Sequence, residues 1–159
     1  MNYNFLNNNN TIKDIFKSSL KKYTNNNFLE HAPLSHKRNT KYTYYETSVL
    51  IDQYKRQFQT IGLSTNDRVA IMIGNVPEYF IIKLSLNIIG VSIVPLNSEL
   101  KSDELEYIFS HCQPKLIIAT KRYQEKFKVL NYYNNTKIGL FEFNNLKFKC
   151  IKDIKLKNK

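Results

Sequence analysis

The 159-residue chain has no tryptophan, two cysteines, two methionines, four glycines and four prolines. Each shortage excludes something. Cys112 and Cys150 stand alone, with neither the paired spacing of a zinc site nor that of a redox motif. They read as two reduced thiols of a cytoplasmic protein. The glycines fall at 62, 74, 90 and 139, no two close together. No stretch therefore offers the run of small residues that lets backbone amides close around a phosphate. No 18-residue apolar run occurs, which argues against a transmembrane segment. The opening MNYNFLNNNN lacks the basic-then-apolar order of a secretory signal. Arginine is scarce too, 4 against 20 lysines.

What is present suits one globular domain. Hydrophobic residues make up 42% of the chain, and Tyr (11) and Phe (10) supply all the aromatics. A domain of this size buries about 70% of its unfolded surface. The net charge of +11 invites a nucleic-acid reading, but its distribution opposes one. Residues 1–39 carry six basic and two acidic groups, 40–120 seven and eight, and 121–159 eleven and three. The patterned middle is thus neutral and the ends are basic. Lysine dominates where bidentate recognition of phosphates and bases would favour arginine. No nucleic-acid partner is expected, and a basic anion or membrane binder acting through the last residues is the weakest of the functional readings.

Helix and strand patterns alternate with punctuation in the right places. Thr11 and Asp14 form a capping box ahead of Ile12, Ile15, Phe16, Ser19, Leu20 and Tyr23 at helical spacing. Asn7–Asn10 and Asn25–Asn27 read as low-complexity loops, and residues 31–41 as a loop or short hairpin. Thr43 and Glu46 make a second capping box. Val49, Leu50, Tyr54, Phe58 and Ile61 follow as one stripe, and Gly62 supplies a left-handed stop. After a turn over Ser64–Asp67, Val69–Ile73 is a short apolar run suited to a strand buried on both faces. Asn75 is placed to cap the next helix, with Pro77 and Glu78 in its first turn and Phe80, Ile81, Leu84, Ser85 and Ile88 facing one way. Gly90 closes it. Val91–Val94 reads as a second buried strand, Ser102 as the cap of a third helix with Leu105, Ile108, Phe109 and Cys112 inside, and Leu116–Ala119 as a third strand. One more helix is expected within 121–137 and a strand at Ile138–Phe143. The Lys-rich remainder reads as a tail or loosely held edge element. Strands alternating with helices over short links imply right-handed parallel crossovers, hence an α/β fold: a parallel-sheet layer with helices on both faces.

Three stretches also resemble a known family. YTYYET at 42–47 is similar to the TY-x-E-L opening of the AMP-binding domain. LSTNDRVAIMIGNVP at 63–77 is similar to V-x-x-GDRVAI…N-x-P, with Asn66 where the family has glycine. IIGVSIVPLNSELKSDELEYIFSHCQPKLIIAT at 88–120 resembles GAVVVPLNP…YIL…AKVLIT. Asparagine tolerates the left-handed backbone, so the turn at Asn66 is expected to survive. In this order the three resemble the N-terminal portion of AMP-dependent synthetases and ligases, the AMP-binding family of acyl-CoA synthetases. The fatty-acid and carnitine-type CoA ligases are one branch of that family.

The resemblance implies an N-terminal subdomain over residues 1–143 and a Lys/Asn-rich tail over 144–159. It also implies, for full-length members, activation of a carboxylate by Mg-ATP and transfer of the acyl group to coenzyme A. The family's phosphate loop, Tyr-Gly-x-Thr-Glu motif, ribose-binding Asp and catalytic Lys have no counterpart here. No catalytic, cofactor-binding or metal residue is therefore transferred, and no cofactor is expected on this chain alone. A complementary chain carrying the missing segments is the implied partner, with a non-catalytic binding module as the alternative. The remaining candidates have plain readings. Asp103, Glu104 and Glu106 suit a helix start, and His31, His36 and His111 share no ligand spacing. Asn75 and Glu78 read as caps. Lys121 and Arg122 read as a solvated pair opening a helix, with a phosphate at a strand's C-terminal edge as the other possibility.

Overall fold

The computed structural model describes residues 11–32, 40–135, 139–144 and 147–152. Asn7–Asn10, His36, the middle of the 31–41 segment, Ile138 and residues 153–159 lie outside these. The chain divides into two compact units, one taking in the described residues up to Thr60 with Val76–Ile89, the other Ile61–Asn75 with Gly90 onward.

The first unit begins with α1, Ile12–Tyr23, opened by the expected box: the Asp14 amide donates to Thr11 Oγ1 at 3.4 Å and the Thr11 amide to Asp14 Oδ2 at 3.1 Å. β1 (Asn27–His31) and β2 (Thr40–Thr43) pair antiparallel, the hairpin option, though its first arm starts as early as Asn27. α2, Tyr44–Thr60, follows the second box. Here the Glu46 amide donates to Thr43 Oγ1 at 3.1 Å and the Thr43 amide to Glu46 Oε2 at 2.8 Å.

The buried row of α2 is Thr47, Ile51, Tyr54 and Phe58, so Tyr54 and Phe58 are buried as expected while Thr47 and Ile51 take the places expected of Val49 and Leu50. Val49 is 39% exposed. Spacings of four, three and four keep Thr47 to Phe58 on one helical face, whereas Val49 lies two residues off that row.

α3, Pro77–Ile88, also departs from expectation. The residue at its N-cap is Val76, extended at φ −132°, and no side chain caps the helix, so Asn75 is not the cap. A proline at the first helical position pushes the preceding residue out of the helical region, and the boundary falls there. α3 is buried on more than one face: Ile82 and Leu86 are as enclosed as Ile81 and Leu84. Ser85 tolerates this by donating its hydroxyl to the Ile81 carbonyl at 2.7 Å. Phe28 lies against Phe16, Tyr44 and Phe80 with ring centroids 4.5–5.7 Å apart, an aromatic knot of α1, β1, α2 and α3.

The second unit is built on β3 (Arg68–Met72), β4 (Ser92–Pro95), β5 (Leu116–Ala119), β6 (Gly139–Asn144) and β7 (Lys147–Lys152). The sheet order is β4-β3-β5-β6-β7. The first four strands run parallel and β7 returns antiparallel. Three expectations change here. β4 is not buried on both faces, because the order puts it at the edge. Ser92 and Pro95 are exposed, and a proline with no amide to donate is tolerated only at such an edge. The 121–137 segment holds a 3-10 turn (Lys121–Tyr123) running into α5 (Gln124–Lys128), then a separate α6 (Asn131–Asn135). The segment read as a tail supplies β7, whose Lys147 and Lys149 lie on the open edge strand, where lysines discourage further pairing.

Ser102 is the first residue of α4 (Ser102–Cys112) rather than its cap. The Lys101 amide is satisfied by Glu104 Oε2 at 2.7 Å. Gln113 then turns left-handed at φ 45° ahead of Pro114. Asn66 takes the left-handed conformation its glycine-like position requires, at φ 73°. On one sheet face Ala70, Met72, Ile117, Ala119 and Leu140 join Leu105 and Phe109 of α4 and Phe127, Leu130 and Tyr133 in a single core. Phe109 and Phe127 stack nearly parallel, 5.9 Å between centroids. Val69, Ile71, Leu116 and Ile118, on the opposite face, are buried as well. Lys115, just before β5, donates to the Gly62 carbonyl and to Asp67 Oδ2, both at 2.8 Å, and ties the turn before β3 to the sheet.

Candidate functional site

The parallel sheet dictates where a site should form. From β3 the chain crosses to β4 on one side; from β4 it returns past β3 to β5 on the other. Connections leaving neighbouring strands in opposite directions open a crevice at the strands' C-terminal ends. The structure has a cleft there of about 440 Å³, lined by Ile73 after β3, Thr120, Lys121 and Arg122 after β5, and Glu142, Phe143 and Asn144 at the end of β6.

Arg122 reaches across the switch point. Its guanidinium lies over the Tyr123 ring, 4.4 Å from the centroid, and a Cβ placed on Gly74 would stand 3.6 Å from its Nη2. Gly74 itself sits at φ +84°. Among the described residues neither Lys121 nor Arg122 forms an ion pair. The carboxylate on the other wall is engaged: Gln124, itself nearly buried, donates Nε2–H to Glu142 Oε2 at 2.8 Å. Thr120 Oγ1 is buried without a hydrogen-bond partner, an arrangement that costs about 1–3 kcal/mol unless something else satisfies it.

The other candidates go elsewhere. Glu78 of α3 accepts from the Tyr42 hydroxyl at 2.8 Å in the first unit. Burial first, then that bond and the charge of Glu78, push the Tyr42 phenol well above its ordinary pKa. Asp103 and Glu104 line a shallow groove with Leu100, Tyr107 and Ile108 on α4. Glu106 Oε1 accepts from the Tyr132 amide at 2.7 Å. His111 rests edge-on against Tyr107, and His31 lies in β1. Burial raises the Cys112 thiol, while Cys150 is exposed. Among the described residues no three His, Cys, Asp or Glu side chains gather as a metal site, and none of the helices is long and apolar enough to cross a membrane. Glu142, the one carboxylate lining the cleft, is already bonded to Gln124. These residues do not fit a Mg-ATP centre. Sequence reasoning named Lys121 and Arg122 but missed Thr120, Glu142 and Asn144, which become neighbours only once the strand order is known.

A parallel sheet with its crevice at the switch point places the chain among the α/β proteins that work at strand ends. Residues 16–141 match the model of the AMP-binding enzyme family, and the chain belongs to that family, where it is homologous to the N-terminal region of the ligases. Similar proteins include the long chain acyl-CoA synthetase 4 of Arabidopsis thaliana, 29% identical over 119 residues, covering 72% of this chain and 18% of that protein. A crotonobetaine/carnitine–CoA ligase of Shigella flexneri serotype 5b is 26% identical over 98 residues, 62% of this chain and 19% of the ligase. The chain thus spans about a fifth of these relatives' length. The N-terminal subdomain of Klebsiella oxytoca NpsA, solved with 3-hydroxyanthranilyl-AMSN, is 27% identical at a TM-score of 0.60, over 68% of this chain and 26% of that one. IdnL1 shares the fold at a TM-score of 0.75 and 12% identity, over 94% and 30% of the two chains.

Proposed function

We propose that this chain supplies the N-terminal region of a cytoplasmic, AMP-forming acyl-CoA synthetase, and that these 159 residues do not adenylate a carboxylate unaided. The observation that carries the reading is the family match over residues 16–141. The names of the acyl-CoA synthetase and the carnitine–CoA ligase among its relatives favour a fatty or carnitine-like acid as the substrate class. Adenylation needs charge stabilisation gathered around a phosphoryl group, usually a metal and a cation clamp. The four scattered glycines offer no phosphate loop for that purpose. ATP, Mg and coenzyme A would then be held by a complementary chain or segment.

ATP–pyrophosphate exchange tests this directly. The purified chain is expected to show none, and carboxylate-dependent exchange by it alone would overturn the reading. A pull-down from native extract is expected to recover a protein bearing a phosphate loop and a C-terminal catalytic lysine. One observation favours a second reading, a non-catalytic interaction module: the open edge at β4, which carries no lysine. Binding of acyl-CoA without ATP by a stable, soluble chain would favour that module over a split ligase.

A further inference from the structure

We infer that the open edge of β4 and the flank of α4 beside it dock an extended segment of a partner protein that carries an apolar and a basic side chain two positions apart. Such docking rests on the same edge as the interaction-module reading, names the partner that module takes, and is independent of any ligase activity.

The strand supplies the first observation. β4 is hydrogen-bonded to β3 alone. Ser92 donates its amide to the Asp67 carbonyl at 2.9 Å, and Leu96 donates to that of Ile71 at 3.0 Å. Alternate residues of a parallel strand bond the same neighbour, so Ser92, Val94 and Leu96 turn their main-chain groups to β3. The Ile93 N–H and C=O therefore face outward, where an added strand gains main-chain bonds.

The helix supplies the second. Glu106 Oε1 accepts from the Tyr132 amide, so that flank of α4 lies against α6. α6 stands toward β7, whose Lys152 donates to the Tyr133 carbonyl. Glu104 and Ile108 are each two residues from Glu106, about 200° around the helix, and so lie on the flank toward β4. A shallow groove of about 420 Å³ opens there, lined by Leu100, Asp103, Glu104, Tyr107 and Ile108. Leu100, Ile108 and Val94 of β4 pack on one core, and Tyr107 is 66% exposed.

Charge chooses the occupant. The chain carries a net +11, yet this groove is lined by two carboxylates and no cation. Among the described residues neither carboxylate forms an ion pair. A strand added to β4 turns every second side chain to the α4 face, as Val94 is turned. An apolar residue beside Val94 meets Leu100 and Ile108, and a lysine or arginine two positions along meets Asp103 and Glu104.

The test is an amide NMR titration of the full chain, at fixed ionic strength, with the peptide acetyl-Thr-Lys-Thr-Val-Thr-Lys-Thr-amide, which reads alike in both directions. Shifts should saturate at Ile93, Val94, Tyr107 and Ile108, and the Ile93 amide should exchange more slowly in the complex. Replacing both peptide lysines by Glu, or the central Val by Pro, should abolish binding. Asp103→Asn with Tyr107→Ala should weaken binding by about tenfold. Asp52→Asn with Tyr45→Ala, which removes a carboxylate and an exposed ring from α2, should leave it unchanged.

No saturable shift would overturn the inference, as would equal losses in the two double variants, which would mean diffuse attraction. Equal binding of the Glu peptide would remove the basic character of the partner. Equal binding of the Pro peptide, with no slowing at Ile93, would rule out strand addition. Slowing at Ile93 that grows with protein concentration alone would give the edge to a second copy of the chain instead of a partner.

Discussion

The two units solve the burial of polar groups in different ways. In the first, the polar groups that begin α1 and α2 are answered locally, Thr11 with Asp14 and Thr43 with Glu46 closing reciprocal boxes, while the Tyr42 hydroxyl reaches Glu78 across 36 positions and Thr47 Oγ1 on α2 is buried without a partner. In the second, Lys115 bonds Asp67 across 48 positions of sequence and Gln124 bonds Glu142 across 18, while Thr120 Oγ1 is left unanswered at the strand ends. Local satisfaction makes a stable scaffold. Unanswered donors beside unpaired cations make a place for a ligand. What sets the second unit apart is that its unanswered hydroxyl stands at the strand ends beside Lys121 and Arg122.

The strongest way to break this contrast is through the cores. Phe109 is fully buried and stacked on Phe127. Phe109→Ala should cost about 3–5 kcal/mol in urea denaturation, with amide protection lost first in β3, β5 and β6. Phe58→Ala, equally buried on α2, should cost a similar amount with the loss centred in the first unit's helices. Uniform loss of protection in both variants would erase the distinction between the units.

The next largest effect separates two glycines within the second unit. A Cβ at Gly90 (φ +77°) would stand 2.7 Å from Thr65 Oγ1 and 3.0 Å from its Cγ2, whereas one at Gly74 (φ +84°) meets only Arg122 Nη2 at 3.6 Å. Both substitutions carry the left-handed backbone penalty of about 1–2 kcal/mol. Gly90→Ala should exceed it because Thr65 must move, and Gly74→Ala should not. Equal melting temperatures for the two variants would contradict the packing described at Gly90.

Caps sharpen the comparison on a smaller scale. Thr43→Ala removes a hydroxyl that accepts the Glu46 amide and should cost about 1 kcal/mol in thermal melts. Ser102→Ala removes nothing that α4 uses as a cap and should change stability by less than about 0.5 kcal/mol. These two positions also mark how far the sequence could be read. The boxes at Thr11 and Thr43 were legible because both partners lie within one turn. Ser102 and Asn75 have the right chemistry to cap, but Glu104 already satisfies the Lys101 amide and Pro77 sets the start of α3. β3 to β6 were found as apolar runs, β5 to the residue. Their order was not, because nothing in Ser92–Pro95 says that it lies outermost, or in Lys147–Lys152 that it pairs with β6. The cleft suffers most from this. Thr120, Arg122 and Glu142 come together only through strand order, which sequence periodicity does not encode.

The smallest effect is one of pH. Burial, followed by the bond to Glu78 and its charge, raises the Tyr42 phenol above its ordinary pKa, and burial does the same to Tyr54 nearby on α2. A folded-state pKa above the unfolded value means that the stabilisation is whole below the unfolded phenol's pKa of about 10. It is lost as pH climbs from there through the folded value. The share of stability that these phenols supply should therefore hold from neutral pH to about pH 10 and decline above it. Tyr42→Phe deletes one of several contributing groups, so its urea midpoint should fall slightly at pH 8 and depend somewhat less steeply on pH between about 10 and 11. An unchanged alkaline slope in this variant would mean that the Tyr42–Glu78 bond does not persist in solution. The first unit would then lose a long-range side-chain pairing between β2 and α3.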